Sequence, residues 1–112
     1  MDKSTEGKIQ ELQLLEQNLQ NLNLQKQNFQ AQLLESENAL IELGDLKGES
    51  YKIIGTLMVL KNNAELKKDL DSEKEVLELR IKNIEKQENK LKEKMEEIQK
   101  EVMKELGKDG RK

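Results

Sequence analysis

The sequence predicts a mainly α-helical subunit: a long antiparallel two-helix coiled coil with a central β-hairpin that joins an intersubunit β-barrel. Three observations lead to this fold class. Apolar residues recur at alternating steps of three and four in both halves of the chain, which is the heptad pattern of a coiled coil. The chain has no proline, and its six glycines lie outside the periodic stretches. An apolar, β-branched segment, YKIIGTLMVL, separates the two repeats at residues 51–60.

The first repeat predicts a helix over residues 7–43. Eight of its ten a and d positions are apolar, the exceptions being Lys26 and Ser36. Gly44 follows directly and is the expected C-terminal cap. Twelve Gln or Asn side chains lie between residues 10 and 32. They indicate either a neutral solvated face or a surface that can hydrogen-bond irregular polypeptide.

The second repeat predicts a helix over residues 63–107, followed by a disordered tail at 108–112. Asn62 followed by Glu65 resembles a capping box, in which the Asn side chain accepts a hydrogen bond from a free backbone N–H. The outer face is dense in Lys and Glu, which is typical of a solvated helix. The a and d series is Leu70, Lys74, Leu77, Ile81, Ile84, Glu88, Leu91, Met95, Ile98 and Val102.

A linker at 44–50 and a hairpin at 51–61 should turn the chain back, so that the two helices of this single domain (1–112) pair antiparallel. A parallel homodimer is disfavoured because a helix does not run through two glycines and a strand pattern. Two registers satisfy the pairing, and both place Lys26 and Glu88 one layer apart. We predict that this pair bridges the seam and helps to define its register. The alternative is that both side chains extend to water.

The hairpin segment carries apolar groups on both faces. Simple alternation places Tyr51, Ile53, Gly55, Leu57 and Val59 on one face, and Lys52, Ile54, Thr56, Met58 and Leu60 on the other. A two-stranded hairpin is marginal alone, and a closed barrel of several hairpins would remove every exposed strand edge. A buried apolar linker is the alternative interpretation. The predicted oligomerisation residues are Tyr51, Ile53, Ile54, Gly55, Leu57, Met58 and Val59.

Composition argues against several functional classes. The chain lacks His and Cys, so the usual acid–base groups and thiolate metal ligands are missing, and neither an enzyme nor a bound cofactor or metal is expected. The net charge is −3 and no basic face stands out, which disfavours nucleic acid as a partner. No apolar run is long enough for a membrane span, and the first residues lack the apolar core of a signal peptide. We therefore expect a cytoplasmic protein.

The residues also carry a family resemblance. The chain resembles the β-type subunit of prefoldin in the order of its segments: a helix, a short linker, a hairpin and a second helix. Within the hairpin, the resemblance lies in the Tyr51-Lys52 start and in Gly55 with the apolar run after it. The layout matches over nearly the whole chain, and the single hairpin resembles the β type rather than the two-hairpin α type. Leu60 and the Asn62-Asn63 pair depart from the pattern, because such subunits often carry more charge there.

The resemblance implies an ATP-independent holdase that captures unfolded client proteins and passes them to a group II chaperonin. It implies a hexamer of two α-type and four β-type subunits, with a double β-barrel platform and projecting coiled coils. Clients would bind at the distal tips, where seam residues become available if the helix ends fray. A coiled-coil scaffold or tether without chaperone activity is the alternative function. The expected client-binding residues are Ile9, Leu12, Leu14, Leu15, Ile98, Val102, Met103 and Leu106.

Overall fold

The computed structural model describes residues 3–44 and 48–109, without the side chains of residues 108 and 109. In chain order the elements are α1 (Lys3–Leu43), β1 (Glu49–Ile54), β2 (Leu57–Asn62) and α2 (Asn63–Asp109). The predicted fold class of two long helices around a hairpin is confirmed. Residues 45–47 of the predicted linker and residues 110–112 of the predicted tail lie outside the described residues. Within the described ranges, no helix is long and apolar enough to cross a membrane.

Helix α1 begins at Lys3, before the expected Gly7, and ends where the sequence predicts. Gly44 adopts the left-handed region with a φ of 38°, and its N–H donates to the carbonyl of Leu40 at 3.0 Å. This conformation closes the helix, as expected of a C-terminal glycine. The last turn of α1 has no basic residue of its own. A positive charge near a helix C-terminus is stabilising, and here Lys67 of α2 provides it by donating a hydrogen bond to the carbonyl oxygen of Gly44.

A two-residue turn joins β1 to β2, which pair antiparallel. Gly55 has a φ of 62°, whereas Thr56 has a negative φ, so the turn is of type II′ with glycine at its first central position. Gly55 is therefore a turn residue of the hairpin and not a residue of either strand. Its positive φ is a conformation that other residues adopt only at a cost.

The strand register corrects the predicted faces of the hairpin. The paired residues include Tyr51 with Leu60, Ile53 with Met58, and Lys52 with Val59. Odd-numbered residues of β1 therefore share a face with even-numbered residues of β2. The prediction that Leu57 and Val59 lie beside Tyr51 and Ile53 was wrong, because it carried the alternation straight through a two-residue turn as if the segment were one strand.

Helix α2 starts directly after β2 with the predicted cap. The side-chain oxygen of Asn62 accepts a hydrogen bond from the N–H of Ala64 at 2.8 Å. The next residue, Asn63, is buried, and its N–H donates to the carbonyl of Gly48 at 2.9 Å. The hydroxyl of Ser50 donates to the Asn63 side-chain oxygen. These bonds attach the first strand of the hairpin to the start of α2.

The chain divides into two compact units. The terminal unit comprises Met1–Lys26 and Asn83–Lys112, and the hairpin unit comprises Gln27–Lys82. In each unit a segment of α1 runs antiparallel to a segment of α2. The core of the terminal unit is Leu15, Ile98 and Val102, with Ile9, Leu12, Leu91 and Met95 packed against it. The buried side chains of the hairpin unit include Leu66, Leu77, Ile81 and the polar Ser36.

Candidate functional site

The outward face of the hairpin is an exposed apolar surface. It consists of the directly paired side chains Tyr51 and Leu60, and Ile53 and Met58. Ile53 is 70% exposed and Met58 is 66% exposed, and the other two side chains are also exposed. Because the four side chains adjoin across the strands, they form one contiguous patch rather than scattered exposed residues. Such a patch typically marks an interaction surface.

The inward face of the hairpin packs against the chain's own helix α2. Lys61 Nζ lies 2.8 Å from Asp69 Oδ2, and Lys52 Nζ lies 3.5 Å from both Asp69 Oδ2 and Glu73 Oε1. The hydrogen bond from Lys61 lowers the pKa of Asp69 below its ordinary value of 3.8 and raises the pKa of Lys61. Val59 is half-buried on this side. From the apolar groups on both faces, the sequence led us to expect that other chains would cover both; this expectation is corrected, since α2 of the same chain covers part of the inward face.

An open apolar cavity lies beside the hairpin, within the hairpin unit. It has a volume of 380 Å³ and is lined by residues of α1, β1 and α2. Ala39, Leu43, Leu66 and Leu70 supply its apolar surface, and Tyr51 borders it. The exposed apolar surface around Tyr51 therefore continues from the strands onto the adjacent helices.

Within the terminal unit, the charged residues of the seam pair with each other. Lys26 Nζ lies 2.8 Å from Glu88 Oε1. The side chain of Glu88 is 7% exposed, whereas that of Lys26 is 23% exposed. The predicted pair is confirmed, and the alternative that both groups extend to water was wrong, because the Glu88 carboxylate is buried.

The predicted client-binding residues separate into three groups by exposure. Leu14 is 57% exposed and Met103 is 70% exposed, and Leu106 is also exposed. Ile9 and Leu12 are partly buried, and the remaining three residues form the core of the terminal unit: Leu15, Ile98 and Val102. All eight residues therefore lie in the terminal unit, but only three of them are exposed at its surface.

A polar cluster beyond this core was missed by the sequence reasoning. Thr5 is 1% exposed, and its hydroxyl donates to the Glu105 carboxylate. Lys8 Nζ lies 2.6 Å from Glu105 Oε1 and 3.4 Å from Glu101 Oε2. Its hydrogen bond to Glu105 raises the pKa of Lys8. We call Thr5, Lys8, Glu101 and Glu105 the terminal clasp.

A signal for the clasp was present in the heptad repeat. Counting backwards from Leu12 in steps of four and three reaches Lys8 and Thr5, and counting three residues forward from Val102 reaches Glu105. These are a and d positions, so the seam continues into a polar layer instead of ending at its last apolar residues.

Comparison with known proteins assigns this arrangement to a family. The sequence pattern of the family described as "Prefoldin subunit" matches residues 6–109. The chain belongs to the prefoldin subunit family. Members of this family are chaperone subunits. The match spans both helices, the hairpin and the clasp residues Glu101 and Glu105. The family pattern of prefoldin subunits therefore covers all four secondary-structure elements of this chain.

The individual proteins that this chain is similar to are prefoldin subunits of the β type. The chain is 35% identical over 86 residues to prefoldin subunit beta of Archaeoglobus fulgidus, covering 75% of this chain and 74% of the relative. It is 36% identical over 84 residues to prefoldin subunit beta of Sulfolobus acidocaldarius, covering 73% and 67%. The crystal structure of the prefoldin beta subunit from Thermococcus strain KS-1 is similar at a TM-score of 0.86, with 32% identity and 94% of each chain covered. The predicted resemblance to a β-type prefoldin subunit is confirmed.

Proposed function

We propose that this prefoldin subunit is part of a cytoplasmic, ATP-independent holdase that captures unfolded polypeptides and passes them to a group II chaperonin. The observation that carries the proposal is the match to prefoldin beta subunits along nearly the whole chain. The exposed Leu14, Met103 and Leu106 of the terminal unit support capture at that unit. Flexible Leu and Met side chains suit the binding of clients with unrelated sequences.

The outward hairpin face supports a second part of the proposal, assembly with other prefoldin subunits. We place this chain in a hexamer of two α-type subunits and four copies of itself. Covering an exposed Ile, Leu or Met side chain contributes about 1.5–3 kcal/mol, so the four-residue patch offers a substantial driving force. Ile54 and Leu57 pair with each other beside the turn, on the same face as Val59, and both remain exposed, so they offer apolar surface on the opposite side of the hairpin. Gly55 shapes the turn.

Assembly is tested by placing a charge in the patch. Ile53→Asp should leave a soluble helical subunit that no longer assembles with an α-type partner, because a carboxylate cannot be covered there without a partner charge. Thr56→Asp is the matched control, since it adds the same charge at an exposed turn position. Native mass spectrometry of each variant mixed with an α-type subunit gives the result. A hexamer of normal mass with Ile53→Asp would refute the barrel interface.

Val59→Asp tests the inward face of the hairpin. It should also prevent assembly, because the change removes a half-buried apolar side chain and the new carboxylate, paired with Lys52, would draw that lysine away from Asp69 of α2. Native mass with the same partner is again the measurement. Normal assembly would show that this face tolerates charge.

Client capture is tested by replacing Leu14, Met103 and Leu106 together with Ser. The triple variant should suppress the aggregation of a chemically denatured protein less well, while the mass of the hexamer stays unchanged. Leu34, Val76 and Leu79 are exposed apolar residues of the hairpin unit, and their replacement with Ser is the matched control. Loss of assembly in the first variant would show that its three residues are structural. A hexamer that never suppresses aggregation would instead be a coiled-coil scaffold.

A further inference from the structure

We propose that the client-binding surface has two layers and that the terminal clasp controls access to the second. This inference deepens the proposed function and rests on it. The outer layer is the exposed set Leu14, Met103 and Leu106. The inner layer is the apolar core that α1 and α2 cover by packing against each other: Leu15, Ile98 and Val102, with Ile9 and Leu12.

The position of the clasp makes it the first barrier to opening. Thr5 and Lys8 precede the inner-layer residues of α1, and Glu105 follows those of α2. Helix ends otherwise separate at little cost, because few contacts hold them. In this chain the ends cannot separate as far as the inner layer until the contacts of Glu105 with Thr5 and Lys8 break.

The clasp is strong enough to favour the closed state but weak enough to open. Lys8 and Glu105 both remain partly exposed, and exposed ion pairs contribute little and are screened by salt. The open state is therefore a minor population in equilibrium with the closed one. A client that binds the inner layer can bind only the open population. Its apparent affinity is therefore the affinity of the open state multiplied by the fraction of molecules that are open. Loosening the clasp should consequently tighten client binding.

The test is Glu105→Gln in the full-length chain assembled with an α-type subunit. Gln keeps the side-chain size and an oxygen that can accept from Thr5, but it removes the charge that holds Lys8. Glu97→Gln is the matched control, because Glu97 is an exposed carboxylate of α2 outside the clasp. Both variants change the net charge equally.

Two quantities are measured on each protein: amide hydrogen exchange of residues 5–15 and 98–106, and the apparent Kd for a permanently unfolded, fluorescently labelled polypeptide. In Glu105→Gln, exchange should become about two- to fivefold faster and the apparent Kd should fall by a similar factor, as expected for the loss of a partly exposed ion pair. Glu97→Gln should match the unmodified protein. Added NaCl should speed exchange in the unmodified protein more than in Glu105→Gln, because the variant keeps only the longer contact of Lys8 with Glu101 for salt to screen.

Each contrary outcome has a distinct meaning. Unchanged exchange in Glu105→Gln would refute the clasp as the barrier to opening. Faster exchange without tighter binding would show that the inner layer takes no part in capture, while the proposed holdase function would stand on the outer layer alone. Absence of binding by the unmodified hexamer would refute the proposed function itself, and this inference with it.

Discussion

Replacing Lys26 with Leu should destabilise the terminal unit by about 2–3 kcal/mol, although it adds an apolar side chain to an apolar seam. The reason is Glu88, whose side chain is 7% exposed and would lose its counter-charge. Removing one partner of a fully buried ion pair costs about 3–5 kcal/mol, and removing one from an exposed pair about 0.2–1 kcal/mol. Lys26 is 23% exposed, so this pair lies between the two limits.

Replacing the other partner of the ion pair should reduce the stability by less. Glu88→Leu leaves Lys26 without its partner, but the lysine amine can reach water along its flexible stem. We expect a loss of about 1 kcal/mol or less. The double variant with Leu at both positions restores an apolar seam and should be neutral or more stable than the unmodified chain. The order of stability therefore depends on which charge is left buried, and not on the number of ion pairs lost.

Urea denaturation followed by circular dichroism at 222 nm measures these differences. All proteins are compared at one concentration, because assembly makes the apparent stability concentration-dependent. Lys94→Leu is the control, since Lys94 Nζ lies 3.5 Å from Glu11 Oε1 and both side chains are well exposed. It should change the free energy of unfolding by less than about 0.5 kcal/mol. A cost below about 1 kcal/mol for Lys26→Leu, or an equal cost for Glu88→Leu, would refute the reasoning.

Three further predictions concern the hairpin and the helix caps. Gly55→Ala should destabilise the chain by about 1 kcal/mol because of its positive φ, whereas Gly7→Ala should stabilise α1 by about 0.5–1 kcal/mol; thermal unfolding distinguishes the two signs. Asn62→Ala should cost about 1 kcal/mol by removing the cap of α2, which urea denaturation measures. Since the pKa of Asp69 is lowered from 3.8, its contribution to stability is present above that pH and is lost as the pH falls through the folded value. Asp69→Asn should remove this acid dependence, and an NMR titration of Asp69 checks the pKa directly.

The local parts of the fold could be predicted from sequence because short-range chemistry determines them. Gly44 closes α1 and Asn62 caps α2 through bonds that reach no further than four residues along the chain. The heptad repeat predicted both helices for a related reason, since its period describes one helix face at a time. The pairing of Lys26 with Glu88 could be predicted because both registers placed the two residues one layer apart.

Other features depend on how separate segments align, which periodicity alone does not determine. Assigning the strand residues to the two faces of the hairpin depends on the number of residues in the turn. Without that number, Leu57 and Val59 were assigned to the wrong face. The clasp required knowledge that Lys8 and Glu105 meet across the seam. Viewed singly, each polar residue looks like the end of an apolar repeat.

The two-residue turn also limits how the length of this hairpin can vary as the sequence diverges. As long as the turn keeps two residues, one added residue would shift the pairing by one position and exchange the two faces of β2. In the present numbering, Leu57 and Val59 would then take the outward places of Met58 and Leu60, and Lys61 would leave the face on which it binds Asp69. A two-residue insertion would keep both faces. We therefore expect natural variants of the hairpin that keep a two-residue turn to differ in length by even numbers of residues.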